Sequence, residues 1–449
     1  MTVCLNPIEY EEDISIILAY RAGANSQTAS TAGLFKLLEY VLFNGPAANP
    51  GIPEPAAAID VLEAEDIRGG LGIDRFEFGI SFKKENLVQA FDTLLYLFSQ
   101  ERREFIFAQK DGIELARQSI LNLIQNETSD NDLVSSMAIN KKLFAKAPYR
   151  IDILGSENVL EKADAAQLKN IASSLLVPNN ACLSIAGAFD PNQVLSLIEA
   201  RFGLLQKAKN PWPANLAPFP RPGVTKPIFL VFPDSDISAD HMKIEMRYRG
   251  PDPKDTTSYF AALMLQQLAN EPTSRFQMAV RKSMPKGSEP ENIRIDYVPN
   301  TDSSWISVLS IVPAGKKPAE TVFAFKEAVR GTELYMVKAN PSYFSAADYD
   351  RACQALLGEI MAIQGDAMSS ACHMATLWSW GIPPLIFQES DFIMKTRQKN
   401  ISQFVDTYIQ KNLEVVMVRL NPDLYEVNKK SFSSYGFETV STKNAFWWR

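Results

Sequence analysis

Glu39 is the residue best placed for acid–base work, in the run Gly33-Leu34-Phe35-Lys36-Leu37-Leu38-Glu39-Tyr40-Val41-Leu42-Phe43-Asn44-Gly45. The run reads as an apolar helix bounded by glycines. Two imidazoles one helical turn apart, with a carboxylate just before the second, would grip a zinc ion; that carboxylate could then take a proton from metal-bound water. Here Lys36 and Tyr40 stand at the two ring positions. An ammonium that stays protonated near neutral pH repels a dication, and a phenol with an ordinary pKa near ~10 is a poor replacement for imidazole. His241 and His373 are the only histidines among 449 residues, and both lie far down the chain. No rearranged two-histidine helix can serve Glu39, so the expected cofactor is none and zinc is expected to be absent.

Two readings of Lys36 remain open. At i and i+3 it could pair with Glu39 on the solvent side of an ordinary amphipathic helix, a contribution of about a few tenths of a kcal/mol. Alternatively its ammonium stands in for the charge of a metal and keeps a former site folded. Glu39 as a working base without metal has nothing nearby to activate water. His373 lies in the helical run Ser369-Ser370-Ala371-Cys372-His373-Met374-Ala375 and His241 opens a strand; both read as structural histidines. Cys4, Cys182, Cys353 and Cys372 are scattered without paired spacing, so buried free thiols are expected rather than disulfides or a thiolate metal site.

The elements that position these residues are written twice. Ile14 to Gly23 alternates like a strand and ends Tyr20-Arg21-Ala22-Gly23; Met242 to Gly250 ends Tyr248-Arg249-Gly250, an offset of 227. An apolar helix follows each, Ser30 to Phe43 and Thr256 to Leu268. Phe78 to Phe82 meets Val308 to Ile311 at an offset of 229, and Asp190-Pro191 after one strand meets Asn421-Pro422 after another at 231. Between the copies lie Pro211-Trp212-Pro213, Pro218, Pro220, Pro222 and Pro227, too dense for helix or central strand and so read as a linker. The expected organisation is residues 1–206, a linker 207–226, and residues 227–449. Alternating strands mixed with long helices indicate an α+β fold, each half a mostly antiparallel sheet with one face covered by helices.

Composition narrows the function classes. A 46% hydrophobic, 22% charged chain is globular throughout. A formal charge of −7 argues against nucleic acid and anionic membranes as partners. The first 15 residues carry Glu9, Glu11, Glu12 and Asp13 and do not read as a signal peptide, and no apolar run reaches about 18 residues. A removed leader would leave no trace, so the compartment is cytoplasmic only by default.

The Glu39 helix resembles the signature helix of the pitrilysin/insulinase-type (M16) metallopeptidases, in which a Gly-Leu pair precedes His-x-x-Glu-His. The likeness continues through Phe144, Pro148-Tyr149, Ile153-Leu154-Gly155, Pro178-Asn179-Asn180, Gly187 and Phe202-Gly203, in the family's order, and more loosely through the second half. It implies a catalytically degenerate member. The family's third ligand is a Glu on a later helix: bare counting points to Glu114, whereas the local pattern Leu121 to Asp130 puts Asn122 there, favoured because Ala47 to Ile67 is insertion-prone. Neither restores three ligands. Relatives also clamp substrate with an Arg and, seven positions later, a Tyr; Arg281 matches the first, while Ser288 departs from the second.

The resemblance further implies half of a peptide-holding chamber, with an active M16 subunit as heterodimer partner or a second copy as homodimer, and a peptide as substrate. A stand-alone structural or peptide-binding protein is the alternative, and a metallopeptidase with an atypical site a third. The aromatic clusters Leu377 to Pro383 and Phe446-Trp447-Trp448-Arg449 fit either an interface or core packing.

Overall fold

The computed structural model describes residues 1–44, 62, 64, 66–209, 211, 217–219, 221 and 223–448. Gly45, Trp212, Pro213, Pro220, Pro222, Arg449 and most of Ala47 to Ile67 lie outside the described residues. The described strands are β1 (Thr2–Pro7), β2 (Asp13–Tyr20), β3 (Asp66–Leu71), β4 (Phe76–Lys83), β5 (Ala181–Gly187), β6 (Ile228–Pro233), β7 (His241–Arg249), β8 (Ile293–Val298), β9 (Trp305–Pro313), β10 (Val415–Leu420) and β11 (Glu438–Thr439). They form one sheet ordered β1-β5-β2-β4-β3 and another ordered β11-β6-β10-β7-β9-β8. Without β11, the second order is the first repeated. The parallel pairs are β1 with β5 in the first sheet and β6 with both β10 and β11 in the second; the other pairs are antiparallel.

Packing does not divide the chain into consecutive stretches. One compact unit comprises Met1–Gln125, Tyr149–Ala217 and Ile360–Phe387; the other comprises Asn126–Pro148, Pro218–Glu359 and Gln388–Arg449. Each sheet therefore takes a helix from the other repeat.

In the first unit the borrowed helix is Ala367–Ser379, which lies on β2 and β5. Ile17, Ala19, Cys182 and Ala186 pack there against Met368, Ala371, Met374, Ala375 and Trp378. Ser184 donates to the Ala371 carbonyl at 2.8 Å, Asn6 to Ser370 Oγ at 2.8 Å, and Trp378 Nε1 to Thr2 Oγ1 at 3.0 Å. The Arg21 guanidinium stacks over the Trp378 ring at 4.5 Å. This corrects the one-face expectation: β2 and β5 are buried on both faces. Alternating residues such as Ser15 and Ser184 look polar in sequence, yet they are small and hydrogen-bonded. Ser15 meets Ser81 at 2.8 Å. Trp378 and Trp380 belong to this core, and Trp380 Nε1 donates to Asp74 at 2.9 Å.

In the second unit the borrowed helix is Asn131–Leu143, held by charge. Lys243 donates to Asp132 at 2.8 Å, Arg419 also pairs with Asp132, and Arg247 reaches Asn140 Oδ1 at 2.9 Å. Arg419 bonds the buried Asp234 as well, at 2.6 Å. The bonds from Lys243 and Arg419 hold the Asp132 carboxyl below its ordinary range. Lys141 donates to the carbonyls of Asn444 and Phe446, at 3.0 and 2.7 Å, so the aromatic C-terminal segment folds onto this helix. Phe446 is buried, whereas Trp447 and Trp448 are half-buried. The four cysteines are free thiols.

Candidate functional site

The Glu39 helix spans Leu34–Asn44, starting later than its apolar pattern because residues 28–33 form hydrogen-bonded turns. Gly33 has φ +98°, and a Cβ there would sit 2.7 Å from the Leu154 carbonyl. Its N–H donates to Gln27 Oε1 at 2.6 Å, while Gln27 Nε2 donates to the Asp152 carbonyl at 3.0 Å. Gly155 packs against Gly33 so closely that its own Cβ would meet Gly33 N at 2.2 Å. The Gly33 and Ile153-Leu154-Gly155 motifs, 120 residues apart, thus fix one another and aim the helix.

Lys36, Glu39 and Tyr40 come together. Lys36 Nζ lies 2.9 Å from Glu39 Oε1 and 2.8 Å from Oε2, and 5.3 Å from the Tyr40 ring centroid. The pair does not face solvent: the side chains are 17% and 10% exposed, respectively. The third contact to Glu39 comes from β3, whose Leu71 N–H donates to Oε2 at 2.9 Å. Glu39 therefore ties its helix to the end of an edge strand. At Gly70, where a Cβ would stand 3.5 Å from Glu39 Oε1, β3 brings bare backbone against the carboxylate.

This arrangement does not fit zinc. The ammonium occupies both carboxylate oxygens at hydrogen-bond distance, and among the described residues no group of three His, Cys, Asp or Glu converges as a metal site. Both candidates for the third ligand lie on the helix Lys110–Glu127 and are exposed. The Glu114 carboxylate is engaged by Arg117 and, at 2.9 Å, by Gln118. Neither Asn122 nor Glu114 is a partner of Glu39, whose bonds go to Lys36 and Leu71.

Arg281, on the helix Arg275–Ser283, donates from Nε to the Pro290 carbonyl at 3.2 Å and from Nη2 to the Glu291 carbonyl, bracing the loop that leads into β8. Ser288 is buried in that loop. His241 Nδ1 lies 2.8 Å from Asp240 Oδ1, and its Nε2 lies 3.5 Å from Glu291. His373 sits half-buried on the helix Ala367–Ser379.

Sequence reasoning missed Leu71 and β3, the elements that make Glu39 structural. The signal available was the Gly69-Gly70 pair beside a strand-like run, although β3 abuts the insertion-prone stretch that discouraged assignment.

A family model described as "Peptidase M16 inactive domain" matches residues 162–356. The non-peptidase homolog YmxG of Helicobacter pylori is 24% identical over 210 residues, 45% of this chain; the chain thus spans only 46% of that relative's length. Among solved structures, a protease from Helicobacter pylori superposes with a TM-score of 0.75 at 14% identity, over 93% of this chain and 96% of that one. A peptidase M16 inactive domain from Pseudomonas fluorescens gives 0.75 at 15% identity, over 93% and 95%. The fold repeated twice and the helix on which lysine and tyrosine stand in place of both imidazoles make the chain similar to the inactive, non-peptidase members of the M16 peptidase family that these likenesses name.

Proposed function

We propose that this protein holds extended peptide along the outer edge of β3, as the non-catalytic wall of a chamber completed by an active M16 subunit that supplies the zinc. The observation carrying this reading is the open edge beside the Lys36–Glu39 pair. Among the described residues β3 pairs with β4 alone, on one side. Since Leu71 turns its N–H to Glu39, antiparallel alternation puts Gly69 and Ile67 on the same outer edge. Among the described residues no group partners their outer backbone atoms. Such an edge accepts an extended chain through main-chain hydrogen bonds. Gly69 and Gly70 present no side chain to obstruct it.

Light scattering after size-exclusion chromatography, alone and with a His-x-x-Glu-His relative from the same source, tests the partnership. A heterodimer is expected, and homodimers only would sink it. Peptide holding is tested with Ile67→Pro, which removes an outer-edge donor from a half-exposed position. Peptide bound by the wild type should be lost by at least about tenfold, one good hydrogen bond being worth roughly that factor. Equal binding by the variant would move the peptide elsewhere.

A further inference from the structure

We infer that the second sheet's matching edge, β8, is closed to strand addition by side-chain amides of the neighbouring helices, so that of the matching edges β3 and β8 only β3 is open. β8 holds the same place as β3, at the end of the order and paired on one side with β9. Five of its outer backbone groups are filled. Gln277 accepts from Ile293 N at 3.1 Å and donates to Ile293 O at 2.5 Å; Asn270 accepts from Ile295 N at 2.7 Å and donates to Ile295 O at 2.9 Å. Gln266 accepts from Tyr297 N at 3.2 Å.

A primary amide carries an acceptor oxygen and two N–H donors, and its oxygen and one N–H point the same way, matching the N–H and C=O that a single strand residue turns to the sheet edge. Asn270 and Gln277 therefore offer β8 the bonds that a neighbouring strand would make. Gln277 is fully buried and keeps its second N–H on the Ala269 carbonyl at 2.8 Å, so it is fixed in place. Asn270 ends the helix Thr256–Asn270 and Gln277 lies on the next, so displacing the amides means moving both helices from the edge. An incoming peptide would have to break five existing bonds at Ile293, Ile295 and Tyr297 to make its own.

This goes beyond the peptide reading of β3 and stands without it, because the closure is measurable in the free chain. Amide hydrogen exchange of the intact wild-type protein should be slow at Ile293, Ile295 and Tyr297 and at least about tenfold faster at Ile67 and Gly69. Asn270→Ala should speed exchange at Ile295 while leaving Ile293 protected; Gln277→Met, of similar volume, should do the reverse. Asn270 is only half-buried, so its variant is the one expected to fold if Gln277→Met does not. An eight-residue peptide of alternating Thr and Val, added in excess to the wild type, should not change exchange across 293–297. Exchange at Ile293 and Ile295 as fast as at Ile67 and Gly69, or new protection of 293–297 by the probe, overturns the inference. A probe that binds nowhere counts against the proposed function and leaves slow exchange at β8 in support of the closure.

Discussion

Glu39 and Gln266 occupy the same slot in the two repeats, 227 positions apart, on the helices Leu34–Asn44 and Thr256–Asn270. Each accepts a hydrogen bond from the outward N–H near the end of an edge strand, Leu71 in one case and Tyr297 in the other. Where the second half uses a neutral amide, the first uses a carboxylate with a lysine one turn earlier; the position matching Lys36 is Leu263. The difference teaches that the one retained residue of the zinc motif needs no catalysis to explain it. It caps a strand, and the ammonium supplies the positive charge that a buried carboxylate requires. The borrowed helices differ in parallel, one docked mainly by apolar packing with the Arg21 guanidinium on Trp378, the other by ion pairs to Asp132.

The largest test of this contrast is separation of the repeats. Produced alone, residues 1–206 lack the helix that covers Ile17 and Cys182, and residues 227–449 lack the helix held by Lys243 and Arg419. Losing burial of several large side chains at about 2 kcal/mol each removes on the order of 10 kcal/mol, comparable with the whole stability of a domain. Neither piece should unfold cooperatively in a denaturant titration followed by circular dichroism.

Lys36→Met should cost about 3 kcal/mol, because it strands a buried carboxylate, and the loss should appear in the denaturation midpoint. If the variant is as stable as the wild type, the ammonium is not what compensates Glu39. Gln266→Glu should destabilise by about 1–3 kcal/mol, since Leu263 offers the new charge no partner, and Glu39→Gln, which keeps an acceptor for Leu71 but leaves the Lys36 ammonium without its counter-charge, should cost about as much. Destabilisation by both of these reciprocal changes would confirm that one slot is built for charge and the other against it.

Metal content gives a sharper readout of the same slot. Wild-type protein incubated with zinc and then dialysed is expected to retain well under one equivalent by elemental analysis. The smallest effect expected is with acid. The Asp132 pKa is lowered in the folded chain, so its stabilising contribution is present above the unfolded value of about 3.8 and is lost as pH falls through the folded one. Asp132 is largely exposed, so the shift in midpoint should be modest, and Asp132→Asn should abolish it. Hydrogen exchange below about pH 4 should loosen Asn131–Leu143 before Ala367–Ser379, whose docking rests chiefly on apolar packing.

Much of the fold was legible. Val415 to Leu420, the Asp190 and Asn421 helix caps, and the helices following β2 and β7 fall within a few residues of where pattern put them. The helix exchange was not legible, because no local period records which sheet a helix covers; Ala367–Ser379 looks like any apolar helix until Ser184 and Ala371 are seen together. At the site, the absence of imidazoles was plain from residue types alone. The burial of Lys36 and the strand-capping role of Glu39 depend on β3, whose Asp-Ile-Arg-Gly-Gly-Leu carries weak strand propensity and is held by its ladder to β4.

The exchange of helices also sets an order of events during synthesis. β5 closes the first sheet at Gly187, yet the helix that covers its second face begins at Ala367, about 180 residues later. At ribosomal speeds of roughly 5–20 residues per second, Ile17, Ala19 and Ala186 wait on the order of ten seconds or more for their cover. During that interval the nascent chain displays a bare apolar sheet, the surface on which a holding chaperone would act and on which crowding with sister chains would first go wrong.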